Sequence, residues 1–218
     1  MKHGMIAGVP VAAMLIILAG CYPATFQTAS VLERGQKAVG FGTGFRYEHA
    51  NPGTGWSGVT VADLYYRAGL GNGLEMGARY SMPFRVLVDG RYQAVRRPVL
   101  FSVGAGLAYT YDFMVGSPNE NNHLLDVVTV VLVGREHELG NRTLGYHIGA
   151  KPIPLRLTPS QSPREVPRWG AVVGGCYGGR LKVAPELNVY WGSYQRTYPP
   201  SGTLPLAFSP CLALQFTF

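Results

Sequence analysis

The sequence predicts an all-β fold: a closed antiparallel barrel of about ten strands, with eight or twelve as neighbouring options, its apolar face turned outward to lipid. Three observations predict it. Segments of roughly ten residues alternate apolar side chains with small or charged ones, which is strand periodicity. Glycine is abundant at 29 of 218 residues, beside 13 Tyr and 9 Phe, while charged residues make up only 14 %, against about 25 % in an ordinary soluble domain. Mean hydropathy is only +0.08, too low for a bundle of apolar helices but suited to strands that are apolar on one side alone.

The chain divides into residues 1–20, 21–36 and 37–218. Residues 1–20 read as an export signal: Lys2 and His3 precede an apolar run from Met5 to Ala19, which is short for a membrane-spanning helix and is interrupted by Gly8 and Pro10. The run ends Leu18-Ala19-Gly20-Cys21. This resembles the lipobox of bacterial lipoproteins, and the resemblance implies that Cys21 carries a diacylglyceryl group and becomes the first residue after cleavage. Tyr22 follows where an inner-membrane lipoprotein tends to have Asp, so the resemblance is compatible with transfer to the outer membrane. Residues 22–36 have no clear period and are expected to be a polar linker along the periplasmic side.

The segment Lys37–His49 is the clearest strand. Val39, Phe41, Thr43, Phe45 and Tyr47 alternate with Gly40, Gly42, Gly44, Arg46 and Glu48. A soluble ligand-binding barrel would solvate its outer face rather than fill it with glycine, so the apolar side is assigned outward. A strand over 59–69 places Asp63, Tyr65 and Arg67 inward; Gly71-Asn72-Gly73 is a tight hairpin turn; a strand over 74–80 places Glu75, Gly77 and Arg79 inward. The strand over 84–94 has Arg85, Asp89, Arg91 and Gln93 inward, and Arg96-Arg97-Pro98 turns the chain. Residues 99–111 alternate cleanly. Residues 124–135 are nearly all apolar, so either Asp126, or Thr129 with Arg135, points inward. Residues 136–141 are expected to turn. Residues 143–151 place His147 and Lys151 inward, and 152–167 form a Pro-rich loop. Strands over 169–178 and 181–191 follow, the latter with Lys182, Glu186, Asn188 and Tyr190 inward.

The last strand places Leu206, Phe208, Leu212, Leu214, Phe216 and Phe218 on one face and Ser209, Cys211, Ala213, Gln215 and Thr217 on the other. It resembles the C-terminal strand of bacterial outer-membrane β-barrels, which end in an aromatic residue. The stretch Asp63–Tyr80, with Tyr66-Arg67-Ala68-Gly69-Leu70 before the turn and Leu74-Glu75-Met76-Gly77 after it, is similar to a hairpin common in such barrels. That resemblance implies a bacterial outer-membrane location. Ten is an even count, and connections alternate between short and long, so both termini are expected on the periplasmic side.

The formal net charge is +7. No basic run or nucleic-acid motif accompanies it, and the export signal argues against nucleic acid. Outer-membrane lipids, or a small anionic solute in the lumen, are the expected partners. Ten inward residues, Arg46, Glu48, Asp63, Arg67, Glu75, Arg79, Asp89, Arg91, Lys182 and Glu186, are expected to form a self-neutralising ion-pair network, since buried charges must be paired. A narrow anion-favouring pore is the sharper reading of the same residues. Strands two apart exceed disulfide reach, so Cys176 and Cys211 are expected as free thiols. No cofactor motif or metal-ligand spacing appears. His49, His123, His137 and His147 show no Ser partner at strand spacing, His49 beside Glu48 being the weak candidate. The expected role is non-enzymatic: structural support of the membrane, surface interaction through long loops, or slow passage of small solutes. A lipid-modifying barrel enzyme is the alternative, and a periplasmic lipoprotein barrel for a hydrophobic ligand is a third.

Overall fold

The computed structural model describes residues 28–49, 56–82, 84–111, 123–153, 155–157, 169–191 and 206–218. They form β1 (Lys37–His49), β2 (Trp56–Gly71), β3 (Leu74–Ser81), β4 (Arg85–Val95), β5 (Leu100–Tyr111), β6 (His123–Leu139), β7 (Arg142–Ala150), β8 (Leu155–Leu157), β9 (Trp169–Gly178), β10 (Leu181–Trp191) and β11 (Leu206–Thr217). Ten of these make a closed antiparallel ring: each pairs with the next in sequence, β7 passes directly to β9, and β11 returns to β1.

The extra strand, β8, prolongs β7. It pairs with β6 over Leu125–Val127, while β7 pairs with β6 from Val131 onward. Between them the Pro152 carbonyl accepts from both the backbone N–H and the hydroxyl of Thr129, at 3.0 and 2.8 Å. The Pro-rich loop expected over 152–167 therefore starts later, because Pro152 keeps a carbonyl to offer the ladder although it has no N–H.

Two turns are tighter than, or displaced from, the sequence reading. The β2–β3 turn is Asn72-Gly73, both with positive φ (53° and 80°), the type I′ pattern that matches strand twist. The turn expected over 136–141 shrinks to Gly140-Asn141, because β6 runs on to Leu139, which pairs with Arg142. Gly140 has φ +64°, a conformation that glycine adopts without the Cβ penalty. The turns after β2, β4, β6 and β9 gather at one end of the barrel, here the turn end, together with the start of β1 and the end of β11. At the seam Lys37 and Phe218 exchange backbone hydrogen bonds at 2.9 Å each way.

The ring is inside out by the standard of a soluble protein. Its exterior carries Phe41, Leu64, Met76, Val88, Leu107, Ile148, Val173, Leu187 and Leu214, each 40–63 % exposed. Its buried residues include Asp63, Arg67, Glu75, Arg79, Arg85, Arg91, Asp126, Lys151 and Glu186. Soluble monomers rarely expose contiguous apolar patches beyond a few hundred Å²; here most strands contribute to one continuous belt. Aromatic residues fringe it. Trp169, Trp191, Tyr47, Phe208, Tyr109 and Tyr111 lie toward the loop end, and Tyr92, Tyr146, Tyr177, Phe216 and Phe218 toward the turn end. Trp169 to Tyr177, like Phe208 to Phe216, is eight residues, about 26 Å along a strand and about 20 Å of layer thickness at a usual barrel tilt. That is close to the height of a membrane barrel's apolar band.

The ambiguous strand is settled. Asp126, Val130 and Leu132 on β6 are buried, while Arg135 is exposed. The inward parity is the one that contains Asp126.

Candidate functional site in the lumen

Alternation alone decides which side chains enter the lumen, and the register decides which of them meet. At the turn end, β2, β3 and β4 bring Arg67, Glu75, Asp89 and Arg91 together. The Arg67 guanidinium pairs with Glu75 and, at 3.2 Å, with Asp89. Arg91 pairs with Glu75 at 3.2 Å. Gly77 makes the space: a Cβ there would lie 2.7 Å from Asp89 Oδ1 and 2.8 Å from Arg67 Nη1. Further in, Lys151 donates to Glu186 at 2.9 Å and to Asn188. Toward the loop end, Arg85 pairs with Asp126 at 3.5 Å, and Asp63 lies in the field of Arg79 and Arg85.

Of the ten expected lumen charges, Asp63, Arg67, Glu75, Arg79, Arg91 and Glu186 are buried inside the ring, and Asp89 is largely covered. Lys182 is partly buried and lines the turn-end cavity. Arg46 and Glu48 occupy β1, but their side chains lie outside the described ones, as does that of His49; Cys21 lies outside the described residues. The network also takes in Arg85, Asp126 and Lys151. Alternation had put Arg85 and Lys151 inward without their being counted among the charges, and Asp126 stood on a strand of uncertain parity.

The segment before β1, expected only as a polar linker without a period, has a definite place: residues 28–36 cross the mouth of the lumen at its turn end. The crossing is held largely through backbone groups. Arg91 donates to the carbonyl of Thr28 and, at 2.7 Å, to that of Ser30. Glu75 accepts the Leu32 N–H at 2.8 Å. Gly35 N–H donates to Gly69 O and Gly69 N–H to Gln36 O, at 3.0 and 2.9 Å. A Cβ on Gly69 would sit 2.0 Å from Glu33 O, so this approach needs glycine. At the far side of the mouth Ala29 is buried with Leu100, Val130, Leu132 and Val172. Sequence alternation cannot find such a segment, since contacts made by carbonyls and N–H groups leave no side-chain period. Beside the segment lies a polar cavity of about 820 Å³, walled on one side by Arg67, Glu75 and Arg91 and on the other by Glu136, Lys182 and Gln215. A second, much smaller cavity of about 30 Å³ is lined by residues such as Leu87, Val130, Lys151 and Tyr190.

The histidines form no catalytic arrangement among the described residues. His147 is buried against Gly174. His123 shares a 2.6 Å hydrogen bond with the Tyr109 hydroxyl on the exterior. His137, expected in a turn, is on β6 and stacks on Tyr146 at 6.0 Å. None is hydrogen-bonded to Ser, Thr or Cys. No three His, Cys, Asp or Glu side chains among the described residues converge as a metal site would require. Cys176 and Cys211 are both buried free thiols.

A closed antiparallel ring with an ion-paired interior and an apolar, aromatic-fringed exterior is the architecture of a membrane-spanning β-barrel. No protein-family model and no curated protein matches the chain in sequence. Among solved structures it is similar to the N-terminal β-barrel domain of Pseudomonas aeruginosa OprF, at 14 % identity and TM-score 0.31, covering 86 % of this chain and all of that one. It is also similar to Neisserial surface protein A, at 8 % identity and TM-score 0.35, covering 85 % and 100 %. A third is Ail, the attachment invasion locus protein of Yersinia pestis, at 11 % identity and TM-score 0.31, covering 85 % and 99 %.

Proposed function

We propose that this chain is a lipid-anchored outer-membrane β-barrel with a closed lumen, serving the membrane as a structural or surface-interaction element rather than as an open pore or an enzyme. The observation that carries the closed reading is the crossing of the mouth by residues 28–36, tied to Arg91 and Glu75. Behind that bar the remaining bore is filled by paired charges, as a barrel this narrow favours.

The anchor fits the same geometry. Six residues separate Cys21 from Thr28, seven chain steps with a reach of at most about 25 Å. Acyl chains on Cys21 would therefore sit in the leaflet at the turn end, which is the periplasmic leaflet if short turns face the periplasm. A second reading, slow passage of a small anion, draws on the 820 Å³ cavity and on Arg67, Arg91 and Lys182 in its walls; it needs residues 28–36 to leave the mouth.

Planar-bilayer conductance of the refolded full chain separates the two. The closed reading expects no steady conductance from the wild type; discrete anion-selective openings would establish the pore. Incorporation of a labelled acyl chain into the wild type, with none in Cys21→Ala, tests the anchor.

A further inference from the structure

The outer surface at the turn end has an anomaly. On β6, Arg135 follows Val133 with the same outward parity, and its partner across the β6–β7 ladder is Tyr146. Both are exposed. One rung closer to the turn, His137 faces Leu144, and one rung further Leu139 faces Arg142. Arg142 is exposed as well; it donates to the Tyr177 hydroxyl of β9 at 2.8 Å and lies 5.6 Å from that ring's centre. Two arginines thus stand on the lipid-facing side, within the turn-end aromatic fringe. The acidic neighbours Glu136 and Glu138 take the opposite parity and line the interior cavity. Among the described residues no carboxylate pairs with Arg135 or Arg142.

An arginine on the lipid face of a barrel is costly at mid-membrane and costs little near the interface. It is tolerated where its guanidinium can reach the headgroup layer. There its planar fork fits a phosphate bidentately. Arg135 and Arg142 are four residues apart along the barrel wall and one strand apart, about 14 Å between alpha carbons. Arg142 leans toward Tyr177 of β9 and Arg135 stands on β6, so the two guanidinium groups flank a headgroup-sized stretch of the rim and a phosphodiester seated there is bordered by both. Tyr177 steadies Arg142, and the Tyr146–His137 stack forms an aromatic floor between the two arginines.

We propose that this face of β6, β7 and β9 is a binding site for the phosphodiester headgroup of an anionic phospholipid in the turn-end leaflet. The inference rests on the membrane-spanning reading above and names a particular lipid contact within it. Each arginine contributes about fivefold in preference for an anionic over a zwitterionic lipid, the usual strength of a basic residue at an anionic surface.

The test uses the full chain in phosphatidylcholine vesicles, with spin-labelled phosphatidylglycerol or phosphatidylcholine as the probe and the motionally restricted fraction as the readout. The wild type should restrict phosphatidylglycerol preferentially. Arg135→Gln with Arg142→Gln should abolish the preference, and Arg142→Lys, which keeps charge but not the fork, should keep part of it. Arg96→Gln with Arg97→Gln removes equal charge from the β4–β5 turn and should leave the preference intact; equal loss there would mean diffuse attraction and overturn the site. Displacement of the labelled lipid by excess inorganic phosphate, at matched ionic strength, would mean a soluble-anion site and overturn it too. Restricted lipid without any headgroup preference would sink this proposal alone. No restricted lipid of either kind would sink the membrane-spanning reading along with it.

Discussion

The middle of the lumen and its turn end use the same residue types for different purposes. In the middle, Lys151 donates to Glu186 and to the Asn188 carbonyl oxygen, and all three side chains are buried. At the turn end, Arg67, Glu75, Asp89 and Arg91 also pair, but Glu75 and Arg91 keep a hand free for the backbone of residues 28–32. Charge in the middle fills and specifies a narrow interior. Charge at the mouth holds a piece of chain and borders an open cavity. The difference lies in solvent: the middle pair has none to fall back on, whereas the mouth can be rewetted when a contact is lost.

The sharpest break in this contrast is Glu186→Ala. It leaves Lys151 buried without its partner carboxylate, which costs about 3–5 kcal/mol. Urea denaturation followed by heat-modifiable gel migration should show a large fall in the midpoint. Replacing both partners, Lys151→Met with Glu186→Leu, should recover most of that loss, since an apolar pair of similar volume is often neutral. A double variant as unstable as the single would mean that Asn188 or other lumen groups depend on the charges.

Arg91→Ala comes next in size. It should cost about 1.5–3 kcal/mol through lost charge-assisted hydrogen bonds, with most of the effect local. Residues 28–36 should become sensitive to added protease while the barrel stays resistant, and conductance should rise if they are the bar. Gly69→Ala should produce the same release without touching a charge, because a Cβ there collides with the Glu33 carbonyl. If Arg91→Ala opens the mouth and Gly69→Ala does not, the guanidinium acts on permeation directly rather than through the segment.

The smallest expected effect is at the Gly140-Asn141 turn. Gly140 has open space around its missing Cβ but a left-handed φ, so Gly140→Ala should cost about 1–2 kcal/mol of conformational energy alone. A change well above that would show that the turn takes part in the cavity rim.

Much of the barrel was legible because a two-residue period exposes each strand's sidedness. Val39–Tyr47 and Leu181–Trp191 could be read residue by residue, and with them most of the lumen charges. Residues 124–135 could not be, because they are apolar on both faces, and the structure supplies the reason. Val130 and Leu132 point inward yet stay apolar since they pack with Ala29, Leu100 and Val172. The segment that hid its own placement therefore also blurred the strand it packs against. Arg135 followed from the same confusion: with the parity of β6 open, it could have been counted as a lumen charge.

The seam between β1 and β11 also says when the ring can form. Every other ladder joins strands no more than two apart in the chain, but β1 meets β11 across positions about 180 residues apart, Ala38 opposite Thr217. Compared with a hairpin of about ten residues, closing that loop spans roughly four doublings of length, or about 2.5 kcal/mol of extra chain entropy. Pairing of such high sequence separation is slow. A chain waiting for its last ladder shows two open strand edges, a template for joining other chains. Until β11 arrives beside β1, then, the half-built sheet must be kept from its own kind, and the final hydrogen bonds between Lys37 and Phe218 mark the moment that exposure ends.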